Sequence, residues 1–320
     1  MNNAPRVSIV IRTYNEANYI GRLLYGISQQ TFQDFEIVLV DSGSTDNTVD
    51  IARTYGARIV TIPKSEFSFG RSLNIGCEAA RGELIVIASG HVYPQRSTWL
   101  SKMIEPFSDK RVALVFGKQR GDHRTKFSEN ILFLKTYPDS GDGIQGDYFC
   151  NNANCAIRRE DWQKHPYDEK LTGLEDIHYA RHFFESGRHV HYCRDATIVH
   201  VHEECWRRIR NRYMREAIAM RHIEPSIQLG FAKALALILV HVVGDGWHAM
   251  RLGRIRREMY GILCFRFNQI WGTYLGYRRG NAVTEELKRR FYYPGAAVAI
   301  VEEENCEFLI DYKCSVVNKG

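Results

Sequence analysis

Several places in this 320-residue chain set out residues able to do chemistry. Asp41 ends the run Glu36-Ile-Val-Leu-Val and precedes Ser42-Gly-Ser-Thr-Asp. A carboxylate there lies at the carboxyl end of a buried strand, where ligands bind in open α/β sheets. Thr13, Asn15 and Glu16 form a second polar cluster, after the apolar run beginning at Val7. Glu175 and Asp176 open a segment in which Ile177, Ala180 and Phe184 recur at helical spacing, so both can cap that helix. His91, in Ser89-Gly90-His91, offers an imidazole, which suits Mn²⁺ or Zn²⁺ better than the oxygen-preferring Mg²⁺. Arg71, Arg207, Arg208 and Arg212 offer guanidinium groups that match phosphate geometry.

The elements that must hold these groups alternate. VSIVIRT and EIVLVD are continuous apolar runs, as expected of strands buried on both faces of a parallel sheet. A helix is predicted over about 19–30, and another over Thr48 to Tyr55, capped by Thr45 or Asp46. RIVTIP then gives a third strand; a helix over about 72–80, closed by Gly82, leads into the buried strand Glu83 to Ala88. Strand, helix, strand, helix, strand with short connections predicts an α/β fold with a mostly parallel, doubly wound sheet flanked by helices. Both polar clusters then emerge on one sheet edge.

Five motifs in this order (TYNE, VDSGSTDNT, FGRSLNIGCEAARGE, NNANCAIRRE and GLEDIHYARHFFESG) resemble the family 2 glycosyltransferases of the GT-A fold, over roughly residues 5–205. FGRSLN and VHVHEE are most similar to the rhamnosyltransferase-type members. The resemblance implies inverting transfer of a sugar from a nucleotide diphosphate, dTDP- or UDP-linked, to an acceptor hydroxyl, in surface polysaccharide or glycolipid assembly. Thr13, Asn15 and Glu16 would line the nucleotide edge, with Asp41 on the base or ribose and Ser42, Arg71 and Asn74 as further donor contacts. Asn151 and Asn152 would lie on the acceptor side. Asp176 would be the base that takes the acceptor proton, with Glu175 as its catalytic partner.

One departure matters. The family carries Asp-x-Asp, or at least one Asp, where this chain has Ser89-Gly90-His91. Three readings follow. His91 binds a divalent ion (Mn²⁺ or, less naturally, Mg²⁺) together with His200 or His202, near which the family often places a metal-binding histidine. Alternatively transfer needs no metal and Arg71, Arg207, Arg208 and Arg212 steady the leaving diphosphate. Or the fold is a non-catalytic nucleotide- or sugar-binding protein.

Composition agrees with a soluble globular chain: 44% hydrophobic, 25% charged, net charge +6. The eight cysteines show no zinc spacing, which points to reduced thiols, and Met1 to Arg6 carries no apolar leader, which points to the cytoplasm. No Gly-rich phosphate loop or nucleic-acid motif is present. Residues 201–300 carry 17 Lys and Arg against 8 Asp and Glu, a net +9 that leaves the remainder at −3. The expected division is a catalytic domain over 1–205, a basic amphipathic helical region over 206–290 and a tail over 291–320 with a short hairpin. The basic helices suit an anionic membrane surface, as on the inner face of a cell membrane, or packing on the core or on a second copy in a homo-oligomer.

Overall fold

The computed structural model describes residues 4–279 and 309–312. The first half builds β1 (Val7–Thr13), α1 (Ile20–Ser28), β2 (Phe35–Asp41), α2 (Thr48–Thr54), β3 (Arg58–Thr61), α3 (Phe69–Ala79), β4 (Leu84–Ser89) and β5 (Val92–Pro94). Then follow α4 (Trp99–Ile104), β6 (Val112–Arg120), α5 (Phe127–Thr136), β7 (Gly143–Ile144), β8 (Asn154–Arg158), α6 (Arg159–Lys164), α7 (Glu175–Glu185) and β9 (His189–His200). Three long helices close the described chain: α8 (Trp206–Ile223), α9 (Phe231–Arg251) and α10 (Ile255–Arg278).

The sheet runs β3-β2-β1-β4-β8-β6-β9-β5, with β7 beside β9. From β3 to β4 every pairing is parallel, as the alternating apolar runs predict. Beyond β4 the sheet becomes mixed, because β8 pairs antiparallel with both β4 and β6 while β6 and β9 run parallel. Reversing β8 brings its starting residues, Asn151 to Asn154, to the edge where β1, β4 and β6 end. Apolar clusters fill both faces of the sheet, one against Leu23, Leu24 and Trp99, the other against Leu73, Cys77 and Tyr179.

Helix limits fall close to expectation, and α3 starts earlier than predicted, at Phe69, because Ser68 accepts the Arg71 N–H as its N-cap. The N-cap of α2 is Asn47, without a side-chain capping bond, rather than Thr45 or Asp46; from one residue earlier, Asp46 Oδ1 accepts the Thr48 N–H at 3.0 Å. Gly82 lies two residues beyond the α3 C-cap, pressed against the Ser8 backbone, so closure of that helix falls to Ala80.

The C-terminal helices pack closely on one another. Gly272 and Gly276 let α10 lie on the α8 backbone, where an added Cβ would stand 2.4 Å from the carbonyl oxygens of Arg210 and Met214. Arg266, fully buried on α10, forms a two-pronged pair with Asp245 of α9 at 2.7 and 2.9 Å. The expected hairpin over the tail lies outside the described residues except 309–312, where Ile310 N–H meets the Gln95 carbonyl at 3.1 Å.

Candidate active site

The loops after β1 and β2 are laced into one surface. Asn15, held at φ 55°, donates its backbone N–H to Ser44 Oγ and accepts the Thr45 N–H on its side chain, both at 2.8 Å. Glu16 N–H reaches Thr48 Oγ1 at 2.8 Å. Asp41 accepts the N–H groups of Gly43 and Ser44 at 3.0 Å each, organising the turn from a buried position beside Thr13 and Ser42. These residues meet on one edge, as the sequence predicts, and they build that edge as well as line it.

Gly90 sets the next layer. A Cβ at Gly90 would stand 2.9 Å from side-chain carbons of Thr13 and Glu16, so only glycine lets the β4–β5 turn close over them. His91 then faces Glu16, Nδ1 to Oε1 at 2.7 Å. Antiparallel pairing of β5 with β9 sets Val92 opposite His200, and Val201 N–H bonds the His91 carbonyl at 3.1 Å. His91 stacks on His200, ring centres 5.1 Å apart, and His202 follows two residues on, on the same side of the extended chain.

Each of the three imidazoles has its Nδ1 engaged. His91 meets Glu16; His200 meets Gln119 Oε1 at 2.7 Å; His202 meets Glu129 Oε1 at 2.8 Å. Three acceptors on Nδ1 fix the tautomers and leave Nε2 lone pairs, the arrangement that presents histidine to a metal. One ring nitrogen from each of the three lies within 4.8 Å of the others. His200 Nε2 is buried without a hydrogen-bond partner, an orphan that a metal ion would satisfy. The residues therefore fit a divalent ion, and an all-nitrogen donor set favours Mn²⁺, Zn²⁺ or Co²⁺ over Mg²⁺.

Electrostatics favour that state at His200 and work against it at His91. Burial, then the nearby His202 and His91, push the His200 pKa well below its ordinary value, so its ring is neutral. Burial alone would lower the His91 pKa, but the Glu16 carboxylate reverses this and the net shift is upward. Burial would raise the Glu129 pKa; Arg212 and His202 outweigh it and keep that carboxylate charged. Arg212 contacts Glu129 at 2.6 Å and Glu204 at 2.8 Å.

Asp176 lies beside this cluster in the hydrogen-bond pattern. Its Oδ2 accepts the Asn152 N–H at 3.0 Å, and its Oδ1 the Ile177 N–H at 2.8 Å. Asn152 follows Asn151, whose Oδ1 accepts from Gln119 Nε2 at 3.0 Å, and Gln119 holds His200. One chain of contacts thus runs from Asp176 to the three histidines. Burial, then the adjacent Glu175 charge, push the Asp176 pKa up to about 7, against the lowering effect of the two N–H donors. Asn152 Nδ2 is buried beside it without a partner.

Other predicted site residues have partners of their own. Glu175, beside Asp176, pairs with Arg12 at 3.1 Å. Asn74 joins α3 to the 162–169 segment, bonding Trp162, Tyr167 and Glu169. Arg71 pairs at the surface with Glu66 at 2.6 Å and Glu169 at 3.5 Å. Arg212 is likewise neutralised by Glu129 and Glu204. Arg207 is exposed and Arg208 half-buried on the first turn of α8. Gln119, Glu129 and Arg12 escaped the sequence reading.

Residues 8–164 match the family described as glycosyl transferase family 2. Those residues are a family 2 glycosyltransferase domain. The chain is 26% identical over 242 residues to the O-antigen chain rhamnosyltransferase WbaN of Salmonella anatum, covering 72% of this chain and 76% of that protein. It is 25% identical over 218 residues to the glycosyltransferase AglE of Haloferax volcanii, covering 61% and 67%. In fold it is similar to the mannosyltransferase PcManGT of Pyrobaculum calidifontis, solved with GDP-Man and Mn²⁺. The TM-score is 0.59 at 18% identity, over 85% of this chain and 86% of that one. Fold and family agree with the GT-A reading of the motifs.

Proposed function

We propose that this glycosyltransferase moves a sugar, a deoxyhexose or hexose, from a dTDP- or UDP-linked donor to a hydroxyl of a saccharide or lipid-linked saccharide, in the cytoplasm. The observation that carries the reading is the contact chain from Asp176, with its pKa near 7, through Asn152, Asn151 and Gln119 to the histidines. As the acceptor oxygen bonds to the anomeric carbon, the bond from that carbon to the diphosphate oxygen breaks, and the acceptor proton passes to Asp176 Oδ. Attack opposite the leaving group inverts the anomeric centre. Asn152 and Ile177 N–H groups orient the carboxylate for this step. His91, His200 and His202 would hold the divalent ion, which when bound supplies charge stabilisation to the leaving diphosphate.

The Mn²⁺ and GDP-Man bound by PcManGT support a nucleotide diphosphate sugar and a divalent ion, and the name of WbaN supports a deoxyhexose. A non-catalytic role drew its strength from the missing Asp-x-Asp, and the histidine cluster answers that loss with another donor set. Calorimetry with UDP, dTDP, GDP and CDP, each in Mn²⁺, in Mg²⁺ and in EDTA, tests the reading. We expect tight binding of dTDP or UDP in Mn²⁺, and weak binding in Mg²⁺ or EDTA. Equal binding in EDTA would remove the metal; no binding of any nucleotide would remove the donor.

A further inference from the structure

Helix α9 presents Phe231, Leu235, Leu239, Val243, Trp247 and Met250 in steps of three and four, so they form one stripe along its length. Among the described residues the stripe is open: Leu239 is 65% exposed, Val243 62% and Trp247 58%. Val240 lies beside it, and Leu252, Tyr260, Leu263 and Phe267 carry exposed apolar surface across the α9–α10 corner and onto α10. Contiguous apolar surface on this scale marks an interaction site.

The exposed charges around it are of one sign. Lys233 is exposed near one end, and Arg251, Arg254, Arg256 and Arg257 crowd the other. Between residues 231 and 267 the carboxylates are Asp245, buried against Arg266, and Glu258, partly buried and 3.6 Å from Arg257. A second copy docked on this face would bury cations against cations, with no exposed carboxylate on the face to answer them. An occupant that is apolar in bulk and anionic at its rim matches the face on both counts. No described helix is long and apolar enough to cross a membrane, so the face would lie along a surface rather than through one.

We infer that the α9–α10 face seats on the surface of an anionic phospholipid bilayer, with the apolar stripe in the headgroup–acyl boundary and the arginines of the α9–α10 corner on lipid phosphates. Arg266 and Asp245 lock α9 to α10, and Arg266 also reaches the Ser128 carbonyl on α5, which fixes the seated face relative to the catalytic layer. This inference stands apart from the transferase reading, because its readout needs neither donor nor turnover.

The test is flotation of the full chain with phosphatidylcholine vesicles, with and without 30% phosphatidylglycerol, so that lipid charge is the variable. We expect flotation with the anionic vesicles, reduced at least tenfold by Leu239→Asp with Val243→Asp and by Arg251→Glu with Arg254→Glu. Circular dichroism and nucleotide binding should stay as in the wild type. A wild type that stays at the bottom with anionic vesicles at low salt overturns the inference. So does a stable dimer in light scattering that Leu239→Asp with Val243→Asp splits, since the face would then belong to a second copy. Should those two substitutions disturb folding, the arginine pair, on exposed side chains, keeps the test decisive.

Discussion

The catalytic assignment stands on one carboxyl group whose surroundings differ from those of a helix cap. A capping aspartate works as an anion and gains nothing from a raised pKa, whereas Asp176 is buried beside Glu175 and pushed up to about 7. A general base with that pKa loses its function as pH falls, because the protonated acid cannot accept the acceptor proton. We therefore expect a pH–rate profile that declines below about pH 7. Asp176→Asn keeps shape and removes basicity, and should lower transfer about 10²–10⁴-fold with donor affinity retained. Glu175→Gln removes the like charge that raises Asp176, so the acid limb should move to lower pH; a limb that stays put would assign the shift to burial alone. Asp176 was legible because it opens a periodic segment in a known motif. Glu129 was not, since what marks it is His202 and Arg212, 73 and 83 residues away in sequence and brought to it by folding.

At the scale of elements, the parallel half of the sheet was readable because its strands are unbroken apolar runs between punctuated helices. The mixed half was not. β8 is as buried as the parallel strands, and only its partners β4 and β6 reveal that it runs backwards. The helical region could be seen as helices but not as one packed unit, because the anchors between its helices are an ion pair and two glycines rather than a pattern. Those anchors can be tested. Arg266→Leu leaves Asp245 buried and uncompensated, and should cost about 3–5 kcal/mol in urea unfolding. The double variant Arg266→Leu, Asp245→Leu should recover most of that loss, because the penalty lies in the orphaned charge. A single variant as stable as the wild type would mean that the pair does not fix α9 to α10.

Taken whole, the molecule binds its histidine cluster from several directions. His91 comes from the β4–β5 turn, His200 and His202 from the end of β9, Glu129 from α5 and Arg212 from α8. Thr172 Oγ1 on the Arg215 carbonyl, at 3.0 Å, ties α8 to the loop before Asp176 as well. An ion held there touches elements far apart in sequence, and the unfolded chain cannot gather them. Binding to the folded state alone must therefore appear as stability: Mn²⁺ at a hundred times its Kd should add about 2.7 kcal/mol, seen as a rise in Tm over the EDTA-treated protein. Gln119→Leu leaves all three ligands but frees the His200 ring to choose its tautomer, and should weaken the ion about 10–100-fold while keeping some of the rise. His200→Ala should abolish it. If Mn²⁺ raised the Tm of the His200→Ala variant as much as that of the wild type, the ion would be binding elsewhere, and the buried orphan nitrogen of His200 would need another partner.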